Sequence, residues 1–560
     1  MSLPTESKPP VRIDQISAEL GLGPNDVEPY GWYKGKLALG LERRLPERPG
    51  ARYIVVTAVS PTPLGEGKTV TSIGLTMGLC RLGKKAIACL RQPSQAPVFG
   101  IKGGGAGGGR STLVPTTDIN THFTGDIHAV AAAHNLLAAV LDNHVKRRLQ
   151  PLVDPATVTW RRVLDVNDKG LSRIITGLGD LPQAPLRETG FDLTAASEVM
   201  AILALTTSLE DLRARLGRII VARAPDGSPI TAEAIRCAGA MAALLRDAIR
   251  PNLVQTCEGG PALVHAGPFA NIAHGNSSVL ADLAALKMAD YVVTEAGFGS
   301  DAGAEKMFDI KCRVGGLRPN VAVIVCTLRA LKLHSGRFAL KPGRPLDPGL
   351  LSENLDALHA GAVNLQAHLD IVRRFGLPAV VAINRFPDDS PRELEVVRKL
   401  ATDWGARGVA VSEGFARGSE GTTELAQAVV DACASPSDFR PLYDLQSSAE
   451  EKIDTLATQL YGADGVDYEP LAKKRLAEYA KLGFGQLPVC IAKTQYSLSH
   501  DPHLLGRPRG FRFPIRDVRL AAGAGFLYAL AGEISTMPGL PTEPSARRID
   551  VDKDGHVTGM

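Results

Sequence analysis

Short apolar runs rich in β-branched residues alternate along this chain with stretches whose apolar positions recur every three or four residues. That alternation predicts a parallel sheet with helices on its faces. The first unit is the clearest. "RYIVVTAV" (52–59) reads as a buried strand. From Lys68 the period changes: Val70, Ile73, Met77 and Cys80 are spaced by 3, 4 and 3, which puts them on one helix face. Gly74 and Gly78 predict a close approach of this helix to the sheet, Gly83 a C-terminal stop, and "KAIACLR" (85–91) the next strand.

Further strands are predicted at "DYVVTEAG" (290–297), "VAVIVCT" (321–327), "PAVVAIN" (378–384) and "GVAVSEG" (408–414). A stretch dense in Ala and Leu, about 126 to 285, reads as helix-rich, and the last hundred residues pass from charged helix patterns to Gly/Pro-rich segments. Parallel strands bring their C-terminal ends to one edge, where open α/β sheets bind ligands. The residues just past the strands should therefore converge: the 57–69 loop, Arg91, Glu295, Thr327, "NRF" (384–386) and "SEGF" (412–415). Phosphate binders, an acid and two aromatics in one place make a candidate site.

Composition narrows the class. At 560 residues the chain has room for roughly two to four domains. An apolar content of 44% with 22% charged residues is that of a soluble globular protein. The net charge of +4 is small, and "KRR" (146–148) reads as a solvated helix face, so no nucleic-acid partner is expected. The start lacks a signal-type apolar core, and no run reaches about 18 apolar residues, so no membrane association is expected. Eight scattered cysteines without a C-x-x-C pair read as free thiols of a reducing, cytoplasmic compartment.

The stretch "TAVSPTPLGEGKTVTSIG" (57–74) carries the chemistry. Its Gly67-Lys68-Thr69 ends like a phosphate-binding loop, although Thr62 stands where that pattern asks for a glycine. Gly65 and Gly67 can point backbone N–H groups inward, and the helix that follows adds its positive end. Lys68 could reach the β- and γ-phosphates of a nucleotide, and Thr69 could ligate Mg²⁺. A plain strand-to-helix turn is the alternative. Arg91, one strand later, suits a transferring phosphoryl group or an acyl phosphate, or simply caps a strand. The glycines of "FGIKGGGAGGGR" (99–110) would allow backbone to approach a ligand, to bend as a lid, or merely to link, and Lys102 could add charge to the anion site. His122, His128 and His134 are spaced by six, not the i, i+4 of a shared helix face, and read as packing residues rather than metal ligands. "VHAGPFAN" (264–271) and "IAHGNSS" (272–278) read as ligand loops of unspecified chemistry.

Over almost its whole length the chain resembles the formate–tetrahydrofolate ligase (formyltetrahydrofolate synthetase) family. The matching segments are "VEPYGWYKGKL" (27–37), "TPLGEGKT" (62–69), "RQPSQAPVFGIKGG" (91–104), "DINTHFTGDIHA" (118–129), "VHAGPFANIAHGNSS" (264–278), "TEAGFGSDAGAEKMFDIKCR" (294–313) and "AINRF" (382–386). "AKTQYSLS" (492–499), "PIRDVRLAAGAGF" (514–526) and "TMPGLP" (536–541) extend the match toward the C-terminus. The resemblance implies ATP, formate and tetrahydrofolate as substrates, with formyl phosphate as intermediate. It assigns Thr62, Pro63, Leu64, Gly65, Glu66, Gly67, Lys68 and Thr69 to ATP, Thr69 also to its Mg²⁺, Lys68 and Arg91 to catalysis, and Phe386 and Phe415 to stacking on the pterin. It further implies a homotetramer and stimulation by monovalent cations. The implied fold is α/β: a P-loop NTPase-like parallel-sheet domain from residues 1–125 and 362–458, a helix-rich α/β insertion at 126–361, and a smaller α+β domain at 459–560.

Four positions depart from the family pattern. Phe415 stands where many members have Trp, Ala96 where a glycine is usual, Arg110 where a tyrosine is usual, and Ala529 where a proline is common. Ala96 is expected to strain backbone near the ligand, and Arg110 to add charge near the anion site. Phe415, Ala96 and Arg110 keep open a non-catalytic relative that still binds folate, and "GEGKT" after a strand also occurs in P-loop switch ATPases.

Overall fold

The computed structural model describes residues 9–100, 105–179, 185–340, 345–532 and 534–560. A twelve-stranded sheet runs through the molecule. Seven of its strands are parallel: β1 (Arg52–Ala58), β2 (Ala86–Leu90), β3 (Pro261–Val264), β4 (Tyr291–Glu295), β5 (Val321–Cys326), β6 (Ala379–Asn384) and β7 (Gly408–Ser412). Their order across the sheet is β3-β2-β4-β1-β5-β6-β7. The chain leaves β1 toward β2 on one side and later reaches β5 on the other, so the winding reverses around β1 and β4. Open sheets of this kind bind ligands at such a reversal.

Alternation along β1 sorts its side chains between two cores. Ile54, Val56 and Ala58 pack with Leu75 and Leu79 of the Lys68–Arg81 helix and with Leu425, Ala426 and Val429 of the Thr423–Cys433 helix. Tyr53 and Val55 face the other way, toward Ala281, Ala284 and Ala285 of the Val279–Met288 helix and Leu365, Leu369 and Val372 of Val363–Arg374. Burial on both faces is why these strands read as continuous apolar runs.

The predicted strands stand where the pattern put them, and the helix expected after the first of them starts at Lys68 and stops before Gly83, whose φ is +74°. Two expectations need correction. Gly74 does lie close to a strand of the sheet, its Cβ position being 3.0 Å from Ser111 Oγ, but the tightest neighbour of both Gly74 and Gly78 is off the sheet. A Cβ on Gly74 would lie 2.8 Å from Thr422 Cγ2, and one on Gly78 would lie 2.8 Å from the Thr422 carbonyl oxygen. These glycines admit the segment that follows β7. The 126–285 stretch is also less uniform than its composition. Its helices Asp126–Arg147, Glu198–Leu205, Leu209–Arg218 and Ala238–Leu245 share a second core, but Asn252–Thr256 and β3 within it join the large sheet. Runs of four or five residues carry too little periodicity to declare themselves. Near the C-terminus, Val489–Ala492, Phe526–Leu530 and Asp517–Ala521 form a separate three-stranded sheet. All eight cysteines are free thiols, and among the described residues no helix is long and apolar enough to cross a membrane.

Candidate active site

The loop after β1 is pinned at its entrance. Ser60 is buried, and every polar atom it has is engaged. Its N–H donates to Asn364 Oδ1 (3.1 Å), its carbonyl accepts from His334 Nε2 (2.8 Å), and its hydroxyl meets Asn364 Nδ2 and His368 Nε2, both at 3.0 Å. Beyond it the chain wraps around its own acid. Glu66 is buried, and its Oε1 accepts both the Thr62 N–H (2.7 Å) and the Thr62 hydroxyl (3.1 Å). Pro63, Leu64 and Gly65 are left exposed at the tip. Gly65 and Gly67 both have φ of +77°, the left-handed conformation a side chain would resist. Asn384, at the end of β6, donates from Nδ2 to the Glu66 carbonyl at 3.0 Å and ties the loop to the neighbouring strand end.

Lys68 opens the helix. Burial holds its ammonium below the ordinary lysine range, with Glu66 and Glu295 pulling it up and Arg91 pushing it further down. Glu295, at the end of β4, joins the remaining two groups. Its Oε2 accepts the Thr69 hydroxyl at 2.8 Å, and its Oε1 lies 3.7 Å from Arg91 Nε. Arg91 itself is 28% exposed at the end of β2. The "HGNSS" loop lies at the same edge, where Asn276 Nδ2 donates to the Glu295 carbonyl (3.4 Å) and Gly275 accepts from Gly297 N–H (3.1 Å).

The two phenylalanines flank paired strand ends, since Asn384 of β6 sits opposite Ser412 of β7. The Arg385 N–H donates to the Ser412 carbonyl (3.0 Å), and its guanidinium pairs with Glu413 (3.0 Å). Phe386 is partly covered, with the Arg329 guanidinium 4.2 Å from its ring centre. Phe415 is 55% exposed. The segment carrying it docks on the Lys68–Arg81 helix through Thr422, whose hydroxyl donates to the Gly74 carbonyl at 2.6 Å.

The described part of the glycine-rich stretch is a packed hairpin. Gly107–Gly108 pairs with Ser111–Thr112, and a Cβ on Gly109 would fall 2.2 Å from the Phe415 carbonyl oxygen. Lys102 lies outside the described residues. Arg110 is exposed, and its N–H donates to the Phe415 carbonyl (2.8 Å), so its backbone belongs to the phenylalanine segment. Ala96 is not strained. It lies in the Gln95–Phe99 helix and packs against Leu193 and Met537. Thr327 is a helix cap whose hydroxyl accepts from the Ala330 N–H (3.0 Å). His134 stacks on Trp160 at 4.1 Å, and His122 and His128 have ring centres 6.1 Å apart. Among the described residues these three form no metal-binding cluster.

Sequence reasoning placed Glu295 and Asn384 at this edge without giving them a task, and it missed Ser60 and Arg329. The strand-end position was the signal for the first pair. Nothing local marks the second pair, because their partners are about 300 and 57 residues away in the chain.

Fold and site together define a parallel-sheet α/β protein that gathers Lys68, Thr69, Arg91 and Glu295 at the edge where its winding reverses. The sequence model of the family "Formate--tetrahydrofolate ligase" matches residues 5–560. The chain is 58% identical over 548 residues to the "Formate--tetrahydrofolate ligase" of Roseiflexus sp. (strain RS-1), covering 98% of this chain and 97% of that one. It is 56% identical to the protein of that name from Saccharopolyspora erythraea and 54% to that from Desulforamulus reducens, again with 98% and 97% covered. This chain belongs to the formate–tetrahydrofolate ligase family.

Proposed function

We propose that the protein ligates formate to tetrahydrofolate at the expense of ATP, giving 10-formyltetrahydrofolate, ADP and phosphate through formyl phosphate. The observation that carries this reading is the placement of Arg91 beside Thr69 of the phosphate loop, with Glu295 between them. Two cationic groups, Lys68 and Arg91, then serve one anion. Formate is already ionised, so its attack on the γ-phosphorus asks for positioning and charge neutralisation rather than a general base. Residues Thr62 to Thr69 would cradle the nucleotide phosphates. The Thr69 hydroxyl is an oxygen donor of the kind a Mg²⁺ ion prefers, and that ion, when bound with ATP, would neutralise phosphate charge.

Arg91 would hold the acyl phosphate while N10 of the folate attacks its carbonyl carbon and phosphate leaves. Phe386 and Phe415 would stack on the pterin, worth on the order of 1 kcal/mol per ring beyond burial. The finer fold, a P-loop NTPase-like domain (1–125 and 362–458) with an insertion at 126–361 and a C-terminal domain at 459–560, belongs to the same reading. So do a homotetrameric state, stimulation by a monovalent cation and a cytoplasmic location.

ADP production measured with and without each co-substrate tests the proposal. The rate should require both formate and tetrahydrofolate, and Lys68→Ala and Arg91→Ala should each lower it by about 100-fold or more. ATP hydrolysis indifferent to both co-substrates would overturn it.

A further inference from the structure

Glu295 holds the two halves of the site together. Its backbone is fixed: β4 pairs it with Val56 of β1, the Ala296 N–H donates to the Val56 carbonyl (2.8 Å), and Asn276 Nδ2 reaches its own carbonyl. Its side chain is only 6% exposed and has two unlike contacts. One oxygen accepts the Thr69 hydroxyl at 2.8 Å, in hydrogen-bond contact. The other is 3.7 Å from Arg91 Nε, which is buried and has no hydrogen-bond partner among the described residues. Carboxylate and guanidinium therefore form an ion pair without the two parallel hydrogen bonds of the strongest such pairs. A pair built for stability would close that gap. The guanidinium instead lies where Gly297 leaves room for it, since a Cβ on Gly297 would stand 3.1 Å from Arg91 Nη1.

We propose that Glu295 is a positioning residue for phosphoryl transfer, acting through Thr69 on the nucleotide side and through Arg91 on the acyl side. The proposal rests on the ligation reading above. Its negative charge has two opposed effects. It competes with an incoming carboxylate or phosphoryl oxygen for Arg91, which weakens ground-state binding of the anion. It also orients the Thr69 hydroxyl and the Arg91 guanidinium toward the place where charge develops in the transition state, and only the second effect raises the rate. A residue that merely braced the fold would not separate the two.

The test compares wild type with Glu295→Gln and Glu295→Asp, using far-ultraviolet circular dichroism and thermal melting as folding controls. Steady-state kinetics give kcat and the KM for formate. Binding of a non-hydrolysable ATP analogue across a Mg²⁺ titration gives a second readout that needs no turnover and no formate. Glu295→Gln should lower kcat by about 100-fold while the KM for formate falls several-fold. The Mg²⁺ concentration for half-maximal analogue binding should rise about tenfold. Glu295→Asp, which keeps the charge, should recover about tenfold of the lost kcat. An unchanged kcat, a formate KM that rises, or a Mg²⁺ titration that superimposes on wild type would overturn the proposal. If Glu295→Gln does not fold, the Mg²⁺ titration of Glu295→Asp decides, and its coincidence with wild type overturns the proposal. Failure of the wild type to need formate and tetrahydrofolate for ADP production would instead overturn the ligation reading.

Discussion

Thr62 donates twice to one oxygen of Glu66, from its backbone N–H at 2.7 Å and from its hydroxyl at 3.1 Å. The acid is buried, and burial raises its carboxyl above the ordinary range while the two Thr62 bonds and Lys68 oppose the shift. A threonine at this place therefore supplies a hydroxyl that a glycine could not, closing the loop on its own acid. Hydrogen bonds to a charged group contribute about 1.5–3 kcal/mol. Thr62→Gly should raise the KM for ATP by about tenfold or more, and Thr62→Ser should stay within about threefold of wild type. Equal KM values for all three proteins would show that the loop does not depend on this bond.

The docking of the Phe415 segment depends on two missing side chains in the Lys68–Arg81 helix. Gly74 and Gly78 each leave room for Thr422, and Gly78 does so against a carbonyl oxygen, which cannot swing aside as a side chain can. Gly78→Ala should destabilise the protein by about 1–3 kcal/mol, seen as a lower melting temperature, and should raise the KM for tetrahydrofolate more than that for ATP. Gly74→Ala should be milder, because its two nearest contacts are side-chain atoms, a Thr422 methyl and the Ser111 hydroxyl. Equal effects of both variants on the two substrates would argue against a link between this packing and the proposed folate site.

Much of this edge was legible before any coordinates. β1, the Lys68 helix and the later parallel strands are long, strongly periodic segments, and strand ends converge by the geometry of a parallel sheet. What stayed hidden depends on contacts distant in sequence. Asn364, His334 and His368 meet Ser60 across about 300 residues, and no local pattern distinguishes a histidine that fixes a loop from one that packs in a core. Gly74 and Gly78 announce a close approach but not its partner, because a glycine records only that space is needed. Ala96 reads as strained because an expected glycine suggests special backbone, whereas the position is ordinary helix.

Arg329 extends the aromatic edge by one layer. Its guanidinium lies 4.2 Å from the Phe386 ring centre and also pairs with Asp388 at 3.1 Å. A pterin stacked on the ring's other face would feel a ring polarised by that cation, an effect of about 0.5–1 kcal/mol at an exposed site. Arg329→Gln should therefore raise the KM for tetrahydrofolate by about two- to fivefold and leave that for ATP unchanged. Phe386→Ala should raise it further. A larger effect of Arg329→Gln on ATP than on folate would remove Arg329 from the proposed folate site.

Far from the site, Glu198 supplies a test of stability against pH. It begins the Glu198–Leu205 helix, and its Oε1 accepts the N–H groups of Gly523 (2.7 Å) and Ala524 (3.3 Å), tying this helix to the C-terminal sheet. Burial of the carboxyl outweighs those two donors and pushes it from 4.5 up to about 7. The folded state thus keeps a proton that the unfolded chain releases as pH rises through about 4.5, so stability falls between about pH 4.5 and 7 and stays lowered above that. The amide oxygen of a glutamine at this position would accept the same two N–H groups without a charge to bury. Glu198→Gln should melt close to wild type at pH 5 and roughly 2–5 °C above it at pH 8. Melting curves of both proteins at the two pH values measure this directly. A difference that is constant with pH, or larger at pH 5 than at pH 8, would show that the buried carboxyl does not set the trend.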